Sequence, residues 1–256
     1  AVVTSAALLM GWLGMAAYWL WLMIENSAAL NFSRTAGIWF FLLPIVLTVS
    51  HRMIPFFSSR VLENYVLIRP YWILWVMLAC TAGHGCLQWL ELLAYLWIVD
   101  FPLAGCALYL SYRWGFMRSF KVSLLAVLHV SFAWLGVAML LYAVQSLIYM
   151  VLGSLLFGLA PLHAIGIGFF SGMILAMASR VTIGHSGRPL ELDRFTWLLF
   201  LGFQATAVIR ILADIVPAIA PMFYVAAAVV WLACFALWAV KFAPVYWRAR
   251  VDGKLG

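Results

Sequence analysis

The segment from Pro161 to Leu190 carries the residues best suited to chemistry in this chain. An apolar, glycine-rich stretch runs from His163 to Arg180, and the short Gly/Ser/Arg stretch after it holds His185. Imidazole can ligate a metal or exchange a proton, and guanidinium binds carboxylates and phosphates. A histidine inside an apolar run is costly unless it has a partner or a task. These residues are therefore candidates for a buried functional site.

His129 is a second histidine of the same kind. Small residues flank it on its own helix face, and small residues also follow His163 at four-residue steps, at Ala164, Gly168, Gly172 and Ala176. Such a face lets another helix, or a planar macrocycle, approach closely. Two histidines on helices of this kind suit the axial ligation of a haem. Helix packing and a hydrogen-bonded buried histidine explain the same pattern, and the residues alone do not choose between these interpretations.

A stripe of soft side chains lies on one face of another predicted helix, at Met77, Cys80, His84 and Gln88. Thioether, thiol and imidazole are ligands that copper accepts. Methionine and cysteine also fill irregular gaps in helix bundles. The stripe therefore predicts either a copper site or ordinary packing.

Two acidic residues stand where apolar sequence surrounds them. Asp100, followed by Pro102, lies in the middle of an apolar run, and we expect it to relay protons or to neutralise a cation. Asp214 lies one helical turn after Arg210. That spacing favours either an i,i+4 ion pair or a guanidinium presented to a carboxylate ligand such as a haem propionate.

Two predicted loops combine two arginines with a histidine and a proline. They cover residues 51–60 and 180–189. Arginine side chains and backbone N–H groups in such loops can bind an anion, although basic loops also fix the orientation of membrane proteins. Both interpretations stay open at this point.

The elements that must position these residues are membrane helices. Of the 256 residues, 68% are hydrophobic and 9% are charged, whereas soluble domains are close to half apolar. The apolar runs are continuous, which excludes the alternating pattern of a membrane β-barrel. We predict an all-α, polytopic transmembrane bundle, with residues 1–256 forming one domain in the lipid bilayer. At about 20 residues per span, the predicted spans lie near 3–24, 35–51, 70–90, 91–112, 121–144, 159–180, 195–214 and 221–243.

The charge pattern supports eight spans. The net charge of +7 does not indicate nucleic-acid binding, because the basic residues sit between the apolar runs. Arginines and lysines follow every second span, whereas Glu25, Glu91 and Asp214 mark the alternate connections and Arg34 is an exception. The positive-inside rule then places the basic connections and both termini in the cytoplasm. The apolar segment 146–160 is predicted as an interfacial piece, a re-entrant segment or an early start of the sixth span. The four cysteines all lie in apolar runs without a CxxC pair and predict neither disulfides nor a zinc site.

Several stretches resemble the NnrS family of bacterial inner-membrane proteins. The resemblance rests on HRMIPFFSSR and SRVTIGHSGRPL, and on AVLHVSFAWLGVAML around His129 and PLHAIGIGFFSGMILAMASRV around His163. It covers most of residues 35–190 and implies a multi-pass inner-membrane protein that contains haem and copper. The family is associated with nitric oxide stress and denitrification. The resemblance does not say whether the chain is an enzyme.

The residue types and the resemblance together predict roles for single residues. Those expected at a haem b site are His129 and His163 as axial ligands, Arg210 as a propionate partner, Arg180 and His185. Those expected to bind a metal are His129, His163, His84 and Cys80, with copper at the last two, and Asp100 is expected on a proton path.

Family members have about twelve spans and an early W-H-x-H-E-M motif that this sequence lacks. We therefore expect further N-terminal spans or a partner chain to complete the site, and nitric oxide as the small ligand. A cofactor-free proton or anion transporter, and a structural or assembly subunit of a respiratory complex, are the alternatives.

Overall fold

The computed structural model describes residues 2–253, which form a helix bundle without strands. Eight long helices follow one another in this part of the chain: α1 (Val2–Ile24), α2 (Ser27–Val61), α3 (Tyr71–Trp89), α4 (Trp97–Arg113), α5 (Ser123–Leu152), α6 (Ala160–His185), α7 (Arg194–Ile215) and α8 (Pro217–Trp247). Six of them, all except α3 and α4, are long and apolar enough to cross a membrane. The predicted all-α transmembrane class is confirmed, and the cytoplasmic position of both termini stays a prediction.

The helices α3 and α4 coincide with two predicted spans but are shorter or less apolar than a membrane-spanning helix requires. Helix α4 has 17 residues, and the second half of α3 contains the polar His84 and Gln88. A turn at Glu91, whose φ is 60°, reverses the chain between the two helices. They form a hairpin that brings residues from both sides of this turn to the same level.

Two helices run further than the sequence predicts. Helix α2 continues to Val61 with Pro55 inside it, so the loop predicted for residues 51–60 is wrong. Helix α6 likewise reaches His185, which makes most of the second predicted loop helical. In an apolar surrounding a helix keeps its backbone groups paired, and this outweighs the single hydrogen bond that an internal proline removes.

The first part of the apolar segment 146–160, residues 146–152, is the end of α5. That helix runs to Leu152 and stops at Gly153, whose φ of +67° closes the helix in the left-handed conformation. A short turn then leads into α6. No separate interfacial or re-entrant helix is therefore found between α5 and α6 in this described stretch.

Helix α5 is the centre of the bundle. In its most apolar window 67% of the residues are buried, against 11% for α1 and for α8. Its neighbours approach it at glycines: a Cβ on Gly168 of α6 would lie 2.5 Å from the Trp134 ring, and a Cβ on Gly136 of α5 would lie 2.5 Å from Leu108 of α4. The small residues of α6 thus serve helix–helix packing against α5.

Two stretches are wound as π-helix, at Ala36–Leu42 in α2 and Ala164–Ser171 in α6. Such turns are rare and occur often at functional sites. Trp39, whose ring stacks on His84, lies in the first stretch, and His163 directly precedes the second. Each irregular stretch therefore adjoins one of the histidines singled out in the sequence.

Candidate functional site

His163 is paired with a carboxylate from the neighbouring helix α7. Its Nδ1 lies 2.6 Å from Oδ2 of Asp214. An ionised carboxylate can only accept, so the proton sits on Nδ1 and the Nε2 lone pair is left for another partner. The His163 side chain is 18% exposed and that of Asp214 is 5% exposed. The histidine is therefore held in one orientation while part of its ring stays accessible.

The same carboxylate has two further partners. Oδ1 of Asp214 lies 3.7 Å from Nη1 of Arg210 and accepts a 3.3 Å hydrogen bond from the hydroxyl of Tyr224 on α8. The Arg210 guanidinium lies over the Tyr224 ring, 4.0 Å from its centroid. Nη1 of Arg210 is buried and makes no hydrogen bond within the protein. The ion pair suggested by the i,i+4 spacing is present, and it leaves hydrogen-bonding capacity on the guanidinium.

His84 and Asp100 form a second pair of the same design across the α3–α4 hairpin. His84 Nδ1 lies 2.6 Å from Oδ1 of Asp100, and both side chains are fully buried. Nε2 of His84 and Oδ2 of Asp100 have no hydrogen-bond partner in the protein. A metal-bound histidine characteristically donates its other ring N–H to a carboxylate in this way.

Aromatic rings enclose His84. The Trp39 ring stacks on it with centroids 3.5 Å apart, and the Tyr142 ring of α5 meets it edge-on at 4.9 Å. Trp39 and Tyr142 also contact each other at 5.5 Å. The π-helical turn of α2 thus presents a flat indole to the imidazole and keeps water away from this pair.

A cavity of about 760 Å³ lies between α1, α2, α5 and the turn before α6, and its lining is mostly apolar. Its walls include Trp39 and Tyr142, which contact His84, and Leu162, which precedes His163, but none of the four paired residues is part of the wall. Gly168 of α6 lies against Trp134 of α5, and the two helices run antiparallel. His163, five residues before Gly168, is therefore level with a point five residues after Trp134, which is within about one helical turn of Tyr142. The two pairs therefore lie at a similar depth in the bundle.

The structure does not bring His129 and His163 together. His129 lies in the N-terminal half of α5, about ten residues or roughly 15 Å of helix rise from the level of His163. It is buried, and its Nε2 shares a 2.9 Å hydrogen bond with the hydroxyl of Ser58 on α2. That nitrogen is already satisfied, as a structural buried histidine requires.

Of the remaining predicted site residues, Arg180 and His185 lie apart from both pairs, whereas Cys80 lies near the His84–Asp100 pair. Arg180 is buried near the C-terminal end of α6, 3.9 Å from the centroid of the Phe57 ring, and His185 is exposed at the end of that helix. Cys80 is half-buried one helical turn before His84. Within residues 2–253 no three His, Cys, Asp or Glu side chains gather as a ready-made metal site.

Comparison with known proteins identifies the family from most of the chain. The family model described as NnrS protein matches residues 1–250. The chain belongs to the NnrS family. No curated protein and no solved structure matches it. The matched residues contain both histidine–aspartate pairs, so both belong to the NnrS-type part of the chain.

Sequence reasoning named three of the four paired residues as candidates but missed both pairings. It placed Asp100 on a proton path and assigned Asp214 only to Arg210, although each carboxylate also contacts a histidine. A signal was available for one pair. His84 and Asp100 lie at equal distances from the middle of the α3–α4 hairpin, and a membrane carboxylate needs a partner at its own depth.

Proposed function

We propose that this NnrS-family protein binds haem within the bacterial inner membrane and acts in the nitric oxide response or in respiratory nitrogen-oxide metabolism. The observation that carries this proposal is the pair of imidazoles whose Nδ1 atoms are held by buried carboxylates at 2.6 Å. Such pairing fixes the tautomer and leaves Nε2 available for a metal. The family membership supports the same conclusion.

We assign the haem ligand to His163. Its Nε2 is not used by the Asp214 contact, and its ring is partly accessible. Arg210, whose Nη1 makes no hydrogen bond within the protein, suits a propionate carboxylate. The cavity whose wall includes Leu162 has about 760 Å³, a volume within the range of organic-ligand sites. Haem iron, when bound, supplies the coordination position at which a small gas such as nitric oxide binds.

We assign a copper site to His84. A buried imidazole nitrogen without a partner is an expensive group to leave unsatisfied, and imidazole is a good copper ligand. Met77 and Cys80 on the same helix offer a thioether and a thiol. The roles of this chain's residues are to hold the imidazole in place through Asp100 and to exclude water through Trp39.

His129 receives no ligand role in this proposal. Its Nε2 is bonded to Ser58, and it lies too far along α5 to share a cofactor with His163. It provides the matched control for the histidine variants, since both residues are helical histidines of the same bundle.

The test is the visible absorption spectrum of the purified protein, oxidised, dithionite-reduced, and then with nitric oxide. We expect a Soret band that shifts on reduction and shifts again with nitric oxide. His163→Ala should lose most of this absorbance per protein, whereas His129→Ala should retain it. A colourless protein from cells supplied with haem and copper would contradict the proposal and would favour a cofactor-free transporter that uses the His84–Asp100 pair to move protons.

A further inference from the structure

A second cavity, of about 620 Å³, lies at one end of the bundle, between the connection from α2 to α3, the end of α4 and the start of α5. It contains none of the histidine–aspartate residues. Arg113, Arg118 and Asn64 line one end of it, and Leu108 and Ala133 line the other. The cavity therefore has a cationic mouth and an apolar floor that extends alongside the transmembrane helices.

The polar groups of this cavity are short of partners. Ser111 is 5% exposed, and its hydroxyl makes no hydrogen bond within the protein. The Tyr65 hydroxyl is buried near Ser58, also without a hydrogen bond of normal geometry. Burial raises the pKa of Tyr65 and outweighs the opposite influence of Ser58 and nearby arginines, so the phenol remains a donor. Two buried hydroxyls thus line the cavity without a hydrogen bond of normal geometry within the protein.

The two arginines are equally uncompensated. Arg118 donates to the backbone carbonyl of Glu63, and Arg113 lies over the Tyr109 ring at 5.8 Å. Among the described residues neither guanidinium has a carboxylate within ion-pair distance. Uncompensated guanidinium groups beside hydroxyl donors are the usual equipment for binding a phosphate.

The rim of the cavity is apolar as well as cationic. Val66, Tyr112 and Met117 all line it, and each is more than 70% exposed. Large exposed apolar side chains directly beside arginines are typical of the zone where a protein meets lipid headgroups. A free anion would need the arginines and hydroxyls alone, and it would leave the apolar rim and floor unused.

We propose that this cavity binds the phosphate group of an anionic phospholipid, with an acyl chain lying along Leu108 and Ala133. Arg113 and Arg118 contact the phosphate, and the hydroxyls of Tyr65 and Ser111 donate to its oxygens. The lipid headgroup then lies beside two hydroxyl groups that make no hydrogen bond within the protein. This inference is independent of the haem proposal, since it uses none of the same residues.

The test is native mass spectrometry of the delipidated full-length protein with dioctanoyl phosphatidylglycerol, dioctanoyl phosphatidylcholine or inorganic phosphate. We expect phosphatidylglycerol to bind at least about tenfold more tightly than phosphatidylcholine. The headgroup of phosphatidylglycerol carries a net negative charge that pairs with the two arginines, whereas that of phosphatidylcholine has no net charge. Arg113→Gln with Arg118→Gln should weaken this binding by about tenfold or more. The control is Arg188→Gln with Arg248→Gln, which removes equal charge from exposed positions and should change nothing.

If the double arginine variant fails to fold, Ser111→Ala replaces it in the binding test. This variant should weaken phosphatidylglycerol binding by about two- to tenfold. Equal binding of both lipids, or phosphatidylglycerol binding that ignores all cavity variants, would overturn the proposal. Displacement of the lipid by inorganic phosphate at similar concentration would also overturn it, because the site would then recognise a free anion.

Discussion

The His84–Asp100 pair is sealed between α3 and α4, whereas the His163–Asp214 pair lies between α6 and α7 where a ligand can reach it. Both have an Nδ1–carboxylate distance of 2.6 Å. The first pair is fully buried and keeps two polar atoms without partners. In the second, the carboxylate is shared with Arg210 and Tyr224.

The surroundings decide what each pair can do. An ionised Asp100 has only His84 to balance its charge, so each member depends on the other or on a bound cation. An ionised Asp214 is balanced by Arg210 whatever happens at the histidine. One motif therefore provides a closed site suited to a small ion and an open site suited to a larger ligand.

The largest difference should appear when each carboxylate is removed from protein prepared without haem or copper. Asp100→Ala leaves a fully buried imidazole without its partner, and we expect a loss of about 3–5 kcal/mol in unfolding free energy. Asp214→Ala leaves His163 and Arg210 partly accessible to water, and we expect about 1–2 kcal/mol. Unfolding in mixed detergent, followed by circular dichroism, measures both.

A double variant controls this comparison. His84→Ala with Asp100→Ala removes both partners, and its cost should fall below the sum of the two single variants. The contrast between the pairs would be refuted if Asp100→Ala were no more destabilising than Asp214→Ala.

The next effect concerns the metals rather than the fold. Asp214→Asn keeps the shape but changes the hydrogen bond that orients His163, and we expect haem affinity to fall about 10- to 100-fold. Asp100→Asn should leave haem affinity unchanged and lower the copper content instead. Haem titration and elemental analysis of both variants measure this. If the two variants reduced haem binding equally, both pairs would serve one cofactor.

His129 gives a smaller, purely structural effect. Ser58→Ala leaves the buried Nε2 of His129 without its 2.9 Å partner, at a cost of about 1–2 kcal/mol in stability. Haem absorbance per folded protein should not change. Thermal unfolding and the visible spectrum of the same sample separate the two quantities, and a loss of the Soret band in Ser58→Ala would return His129 to the list of ligands.

The sequence predicts the helices better than the site. The apolar runs of the sequence locate all eight long helices of the described residues, six of which are long and apolar enough to cross a membrane, because burial in lipid leaves the backbone no alternative to helix. The helix ends were missed at Val61 and Leu152, since charge and small residues mark a membrane boundary and not the end of a helix. The pairing of His163 with Asp214 joins residues 51 positions apart and depends on how α6 packs against α7, and nothing local encodes it.

A salt bridge at the membrane edge completes the series with the smallest effect. Lys241 on α8 lies 2.5 Å from the Asp193 carboxylate, whose side chain is 58% exposed. Partial burial raises the pKa of Asp193, but the bonds from Lys241 and Thr196 outweigh it and lower the pKa to about 2.

Because the folded pKa lies below the unfolded value of about 3.9, the stabilisation is complete above that pH and is lost as the pH falls through about 2. For an exposed pair we expect about 0.2–1 kcal/mol, and Lys241→Met should remove most of it at neutral pH and little near pH 2. Unfolding of wild type and variant across this range tests the sign. A difference that grew as the pH fell would show that the contact does not depend on an ionised Asp193, and the contrast between exposed and buried carboxylates would lose its electrostatic basis.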